Sequence, residues 1–554
     1  MHPESEKHKN KIHTMKKVLL TLIVSFALCG SMFAQHVSHW SDQGNPSSTY
    51  ETYADLVAYV SIDNVPIAHT DNFADFEVGA FVNGTFRGSI FLESYLEEFG
   101  DPYPVAELGI WYDPVASDTG KEVALKLYDH QSNHEYDIFT SATMDNNSVT
   151  IITGDEHIEQ YFSPEHEAIM LSFSTPTFTK EITPIGVDSG WYFIASPIGE
   201  VAPANVNNMT SNTFDLYRFN QSVEKEWENY KDTEHGHEHF NLEPGRGYLY
   251  ANSGDGNNTY TLTFRGFPYE GSGVVTLTKD DVNTDFPGWN LVGNPFSQTA
   301  TVSKTSFYII NPNGRFNVIA STGSTIEAME GIFVTADTDG ETLTFSTSNP
   351  DKISRQLIVN LTASNTRGGT IDRAIVRFDE CSVLPKFQLF EGNAKLYIPQ
   401  DGKDYAVVGA DKDGEMPLYF KAAENGTYTL SFSTEGINMG YLHLIDNLTG
   451  NDVDLLATPS YSFDARTIDY ASRFKLVFAT SNGSDDQFAF ISNGQIILSG
   501  VNGNTTVQLF DVTGHIISST NGTSHISIEN MAKGVYLLRL INGNDVKTQK
   551  IIVK

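Results

Sequence analysis

Short runs of alternating apolar and polar residues, separated by Gly, Asn and Asp, follow one another along most of the chain. A period of two is typical of strands with one buried face, and Gly, Asn and Asp favour tight turns. Residues 77–88 show this well, because two apolar runs flank Asn83 and Gly84, a pair that favours a two-residue hairpin turn. The pattern predicts an all-β protein.

The middle of the chain repeats itself. The segment GWYFIASPI at 190–198 returns as GWNLVGNPF at 288–296, and LEPGRGYLYAN at 242–252 returns as IEAMEGIFVTA at 326–336. The offsets are 98 and 84 residues, and a TLTF segment follows in each copy. Segments that recur in the same order indicate two copies of one β-module, of which the first is longer.

The same pattern divides the chain into tandem β-sandwich modules of immunoglobulin-like or jelly-roll-like type. A Pro/Thr-rich stretch at about 175–184 is expected to link the first two modules. The predicted parts are the upstream residues and leader at 1–34, an N-terminal module at 36–175, the duplicated module at 185–350 with copies at about 190–285 and 288–350, a further module at 354–480, and a C-terminal domain at 485–554.

Residues 15–34 have the layout of a secretory signal peptide. Lys16 and Lys17 precede an apolar run, and small residues lead to a junction between Ala34 and Gln35, so Met15 is the expected start. After the leader is removed, the sequence has no apolar run long enough to cross a membrane. Only Cys381 then remains, so an intrachain disulfide is not expected.

Composition narrows the class of partner. Apolar residues make up 40% of the chain and aromatic residues 12%, which is ample for packed cores. The net charge of −34 opposes binding to nucleic acid, whose phosphates are also negative.

Three histidines form a candidate metal site. His235, His237 and His239 lie two residues apart, so on an extended strand their imidazoles would point to one side. An exposed, polar hairpin tip explains the same residues.

Two acidic turns are candidates for calcium, which prefers several oxygen ligands within a tight loop. Asp337 and Asp339 precede one Gly, and Asp411 and Asp413 precede another. Hairpin turns account for both equally well. No cofactor is expected, and calcium is the one metal ion that these turns suggest.

Aromatic residues of the longer first copy are candidates for ligand binding. Trp227, Tyr230 and Tyr248 could together stack on a glycan, while the alternative is that they fill the core. Because loops on a rigid β scaffold often carry function, we expect Trp227 and Tyr230 to lie at a solvent-facing edge.

The sequence has no Gly-x-Ser-x-Gly, no His-Glu-x-x-His and no phosphate-binding loop. Cys381 could act as a nucleophile with His443 as its base, but nothing in the sequence brings them together. The protein is therefore not expected to be an enzyme, and a hydrolase without a sequence signature is the alternative.

The end of the chain carries the most specific motifs. They are VQLFDVTGH at 507–515, MAKGVYLLR at 531–539 and KIIVK at 550–554. This part resembles the C-terminal sorting domain of the type IX secretion system of Bacteroidetes, although FISNG at 490–494 replaces the usual Pro-Asn-Pro opening. The residues that match the sorting motifs are Gly514, Gly534, Tyr536, Lys550 and Lys554.

The resemblance implies that the type IX machinery exports the protein through the periplasm to the cell surface or the medium. We expect a non-catalytic binding or adhesion protein with an extracellular glycan or protein as its ligand. The alternative is a secreted hydrolase of glycans or peptides, or its glycan-binding accessory protein.

Overall fold

The protein is described by a computed structural model in which the contacts divide the chain into two units, Met1–Thr175 and Pro176–Lys554. The predicted leader at 1–34 lies outside the described residues. These are 36–50, 52–68, 72–95, 103–112, 121–145, 148–150, 158–163, 166–182, 190–210, 213–232, 239–252, 259–282, 285–311, 317–348, 354–364, 369–379, 382–389, 392–410, 413–481 and 487–554.

Strands dominate both units. Short 3-10 helices at Ser41–Gln43, Pro46–Ser48, Phe73–Asp75 and Pro203–Asn205 are the helical elements in this part of the chain. Over the same residues, no helix has the length and hydrophobicity required to span a membrane. The predicted all-β class is confirmed.

The strands of the N-terminal unit are β1 (Thr52–Ile62), β2 (Val65–Pro66), β3 (Phe76–Val82), β4 (Thr85–Phe91), β5 (Glu93–Tyr95), β6 (Tyr103–Tyr112), β7 (Glu122–Asp129), β8 (His134–Asp145), β9 (Ser148–Thr150), β10 (Ile158–Ser163) and β11 (His166–Phe173). They form two sheets, with strand orders β10-β11-β1-β6-β5 and β4-β3-β7-β8-β9, and β2 pairs with β1. Asn83 and Gly84 both have positive φ in the turn between β3 and β4, which confirms the predicted hairpin.

The second unit begins with the repeated module. Strands of the first copy are β12 (Thr177–Ile182), β13 (Tyr192–Ile194), β14 (Phe214–Phe219), β15 (Trp227–Asn229), β16 (Tyr248–Asn252) and β17 (Tyr260–Arg265). Strands of the second copy are β18 (Val274–Thr276), β19 (Trp289–Gly293), β20 (Ala300–Val302), β21 (Ser306–Ile310), β22 (Val318–Thr322), β23 (Thr325–Ile326), β24 (Gly331–Thr335) and β25 (Thr342–Ser346).

The two copies share one strand order. The sheet of the first copy runs β13-β16-β14-β15, and that of the second runs β19-β24-β21-β22. Phe193 pairs with Leu249, and Leu291 pairs with Phe333, so the offsets of 98 and 84 residues map one pair onto the other. The duplication is therefore confirmed, and these equivalent strands pair in the same register in both copies.

One expectation about the repeat was wrong. The stretch assigned to a linker contains β12, which pairs along its whole length with β17 and buries Ile182 completely. The equivalent strand of the second copy, β18, pairs with β25 in the same way. The module therefore starts earlier than the sequence pattern suggested.

The copies join around a pseudo-two-fold axis. Ala195 N donates to Met329 O at 3.2 Å, and Gly293 N donates to Gly245 O at 3.0 Å. The two bonds are equivalent, because Gly293 of the second copy corresponds to Ala195 of the first, and Met329 corresponds to Gly245. Gly247 lies at this joint, and a Cβ there would be 2.6 Å from Val292 O. The repeated glycines are thus required by the close approach of two backbones.

The strands of the next module are β26 (Gln356–Ala363), β27 (Asp372–Arg377), β28 (Leu384–Pro385), β29 (Lys395–Gln400), β30 (Lys403–Gly409), β31 (Gly414–Lys421), β32 (Gly426–Glu435), β33 (Met439–Asp446), β34 (Asn451–Asp454), β35 (Ser460–Ala465) and β36 (Phe474–Thr480). They form a continuous sheet of order β34-β33-β36-β31-β29-β30-β27-β26-β32-β35, with β28 paired to β30. The module shares a buried cluster with the second copy, in which Phe387 packs on Trp289 and Phe333.

The strands of the C-terminal domain are β37 (Ala489–Ser492), β38 (Gln495–Leu498), β39 (Thr506–Phe510), β40 (Ile516–Asn521), β41 (His525–Ser527), β42 (Gly534–Asn542) and β43 (Asp545–Val553). They form a small sandwich of two sheets, β37-β38-β41 and β40-β39-β42-β43. Leu498, Leu509 and Leu538 lie in its core, and Ile497 packs against Tyr441 of the preceding module.

Candidate functional site

The predicted aromatic platform of the first copy is mostly core. Tyr248 has no exposed surface, and its hydroxyl donates to Asn241 O at 3.0 Å and accepts from Glu243 N at 2.8 Å. Burial raises the pKa of Tyr248 far above its usual value. Because a fully buried ring has no surface to offer, the prediction that Tyr248 binds a ligand is corrected.

Trp227 and Tyr230 are half-buried. Trp227 belongs to β15, the edge strand of its sheet, but its ring packs on Phe219 at 5.0 Å between centroids. Tyr230 packs on Phe214 and Phe240. Trp227 thus lies on an edge strand and Tyr230 directly follows it, but both side chains pack against buried clusters.

Those predicted metal ligands that have a described position do not come together. His235, His237 and Asp411 lie outside the described residues, while His239 Nδ1 lies 3.0 Å from Tyr230 O. Asp339 accepts from Lys279 N, and Asp413 accepts from Thr480 N. Asp337 lies 4.0 Å from Lys304 Nζ. Among the residues with a described position, no group of three or more His, Cys, Asp or Glu could hold a metal ion.

An aromatic pair that the sequence reasoning missed lies on the outer face of the N-terminal unit. Tyr53 of β1 is directly opposite Trp111 of β6, and their ring centroids are 4.9 Å apart. Tyr53 is 51% exposed and Trp111 is half-buried. Ala54 and Leu56 of β1 face the core, so the period of two of a strand turns Tyr53 outward.

A second exposed surface, which we call the terminal face, is the outer side of β39, β42 and β43. Along β42, Tyr536, Leu538 and Leu540 are buried, whereas Val535 and Leu537 are exposed. A shallow groove of about 650 Å³ crosses this face. It is lined by Phe510, Asp511, Val512, Gly514, Val535, Tyr536, Leu537, Arg539, Val546, Thr548 and Lys550.

Three predicted sorting residues line the groove of the terminal face, namely Gly514, Tyr536 and Lys550. Lys550 pairs with Leu537, which in turn pairs with Phe510, so a row across three strands consists of two apolar residues and one cation. Gly534 pairs with Val553 at the edge of the same sheet, and Lys554 follows as an exposed residue.

Local hydrogen bonds hold the two ends of the groove. Gly514 has φ of 86° in the turn that joins β39 to β40, a conformation that favours glycine. Asp511 accepts from the Thr513 hydroxyl and from His515 N, and these bonds lower the pKa of Asp511. The Tyr536 hydroxyl donates to Ala532 O at 2.6 Å, which fixes the entry into β42.

Comparison with protein families identifies this part of the chain. A family model described as the secretion system C-terminal sorting domain matches residues 491–554. No curated protein matches the chain. The matched residues cover nearly all of the two sheets of the C-terminal domain, including the sheet that carries the terminal face, so the protein carries a type IX C-terminal sorting domain that directs it to the outer surface or the extracellular space.

Proposed function

We propose that the protein is an exported, non-catalytic binding protein that holds an extracellular ligand on the outer face of its N-terminal unit. The observation that supports this proposal is the exposed pair Tyr53 and Trp111. Large aromatic side chains are costly to leave in water, and their faces suit both sugar rings and apolar groups of proteins.

The surroundings of this pair make it suitable as a platform. Gly109 lies beneath Tyr53, and a Cβ at Gly109 would be 3.4 Å from Tyr53 Cδ2, so the ring rests against the backbone of the sheet. Val57, on the same side of β1 and 46% exposed, adds a further apolar side chain to this face. Rings held on paired strands lose little conformational entropy when a ligand stacks on them.

Glycan and protein arrays probed with the secreted chain test the proposal. The variant Tyr53→Ala/Trp111→Ala should lose about tenfold or more in affinity for the ligand that the arrays identify, because central aromatic contacts dominate many interfaces. Tyr470→Ala is the matched control, since Tyr470 is 49% exposed in another module.

Two results would overturn the proposal. One is equal binding by the double variant and the Tyr470→Ala control, which would place the binding surface elsewhere. The other is turnover of the captured glycan or peptide by the purified chain, which would favour a hydrolase.

A further inference from the structure

A lysine and an aspartate are buried together in the module that follows the repeat. The side chain of Lys386 is 0% exposed and that of Asp372 is 1% exposed, and Lys386 Nζ contacts Asp372 Oδ1. Asp372 begins β27, and Lys386 directly follows β28, so 14 residues separate them along the chain.

Backbone hydrogen bonds hold both side chains in place. Asp372 Oδ2 accepts from Leu396 N at 2.6 Å, and Oδ1 accepts from Arg373 N at 2.8 Å. On the lysine side, Lys386 N donates to Asp404 O at 2.9 Å. The buried Tyr308 hydroxyl donates to Pro385 O and accepts from Phe387 N, so it fixes both neighbours of Lys386.

We propose that Lys386 and Asp372 condense after folding into an intramolecular amide, an isopeptide bond between Nζ and Cγ. Nζ attacks Cγ, and the negative charge that develops on Oδ2 is stabilised by Leu396 N–H. The bond from Cγ to Oδ1 breaks, and Oδ1 leaves as water with two protons, one from the carboxyl group and one from the amine. The step consumes an amine and a carboxylic acid and needs no oxidant or other reactant.

The environment favours the reactive forms of both groups. Burial lowers the pKa of Lys386 and raises the pKa of Asp372, so both shifts favour a neutral amine beside a neutral acid. Lys395 and Asp404 act electrostatically on Lys386, pair with each other at 3.6 Å and are partly exposed, and Arg373 acts on Asp372. Exclusion of water from the site also protects the product from hydrolysis.

A second buried pair of the same module has no nucleophile and cannot form such an amide. Arg473 Nη2 lies 2.8 Å from Asp446 Oδ2, and both side chains are almost fully buried. A guanidinium keeps its proton under all ordinary conditions and is therefore not a nucleophile. The Asp446 pair can only be an ion pair, whereas a lysine at the Asp372 site provides a nucleophile once it is deprotonated.

Tryptic digestion of the denatured full chain, followed by mass spectrometry, tests the proposal. Trypsin does not cleave after an acylated lysine, so we expect the peptide 368–373 to be joined to the uncleaved peptide 378–395, with a mass one water below their sum. Cleavage after Lys395 is the internal control, because its pair with Asp404 is partly exposed and should remain ionic.

The variant Lys386→Arg keeps the charge but removes the nucleophile, and it should release 368–373 as a linear peptide of full mass. The digest of the unmodified protein decides the question even if this variant does not fold. Recovery of free 368–373 and of peptides cut after Lys386 from that protein would overturn the proposal and leave a buried ion pair.

Discussion

The joint between the two copies predicts how sensitive the repeat is to a single methyl group. At Gly247, an added Cβ would lie 2.6 Å from Val292 O and 2.9 Å from Leu291 Cγ, and the nearer atom is backbone that cannot turn aside. Overpacking of this kind costs about 1–3 kcal/mol. Gly247→Ala should therefore lower the stability of the duplicated module by that amount.

The equivalent glycine allows a graded comparison. A Cβ at Gly331 would lie 3.1 Å from Phe193 Cβ and 3.3 Å from Ile194 O, which is tight but closer to an ordinary contact. Gly331→Ala should cost less than Gly247→Ala, at the lower end of about 1–3 kcal/mol. Gly199→Ala is the matched control in the first copy, because nothing lies within 4 Å of its added Cβ.

Urea denaturation followed by tryptophan fluorescence provides the assay, since Trp289 and Trp191 both belong to the cluster beside this joint. The expected order of midpoints is Gly199→Ala highest, then Gly331→Ala, then Gly247→Ala. If Gly247→Ala and Gly199→Ala unfold at the same urea concentration, the backbones do not approach as described and the pseudo-two-fold joint is wrong.

Three further outcomes are expected. Trp227→Ala should destabilise the first copy by roughly 1–3 kcal/mol, because its half-buried ring packs on Phe219; a melting temperature equal to that of the unmodified protein would contradict this. Burial alone would raise the pKa of Asp446, but the hydrogen bonds from Arg473 and Tyr461 lower it below its usual value. The stabilisation from Asp446 should therefore be present above the unfolded pKa of about 3.9 and be lost as the pH falls. Asp446→Asn should remove this acid dependence in a pH series of unfolding curves. Deletion of residues 534–554 removes β42 and β43 and should leave the protein in the periplasm on cell fractionation. Leu537→Glu should impair export, while the exposed control Val282→Glu should not. Normal surface display of the truncated chain would refute a sorting role for the terminal face.

The sequence predicted the structural features that depend on residues close together in the chain. The hairpin at Asn83 and Gly84 follows from two residues that tolerate positive φ, and the repeat was visible because equivalent strands need the same residues at the same register. Strand β12 was missed because its partner β17 lies about 80 residues away, so its pairing has no local sequence signal.

The candidate site was less predictable for a related reason. Tyr248 and Tyr53 are the same residue type on strands of similar pattern, yet one is fully buried and the other is 51% exposed. The difference depends on which sheet covers each face, and that is decided by contacts distant in sequence. The pair of Lys386 and Asp372 has no periodic spacing at all, so only the fold brings it together.

The two sheets of the sorting domain have different environments: one packs on the preceding module, and the other has an exposed side. This difference explains why strand β42 has apolar residues on both of its faces. Ile497 on the three-stranded sheet is fully buried against Tyr441 and Val477 of the preceding module, and the Tyr441 hydroxyl donates to Gln495 Oε1 at 3.1 Å. The four-stranded sheet uses its other side as the terminal face. A strand that both fills a core and presents an apolar surface needs apolar residues on its two faces, which is why residues 535–541 read as an almost continuous apolar run interrupted by Arg539. Solubility alone would favour polar residues at Val535 and Leu537, so we expect a partner to cover them during export.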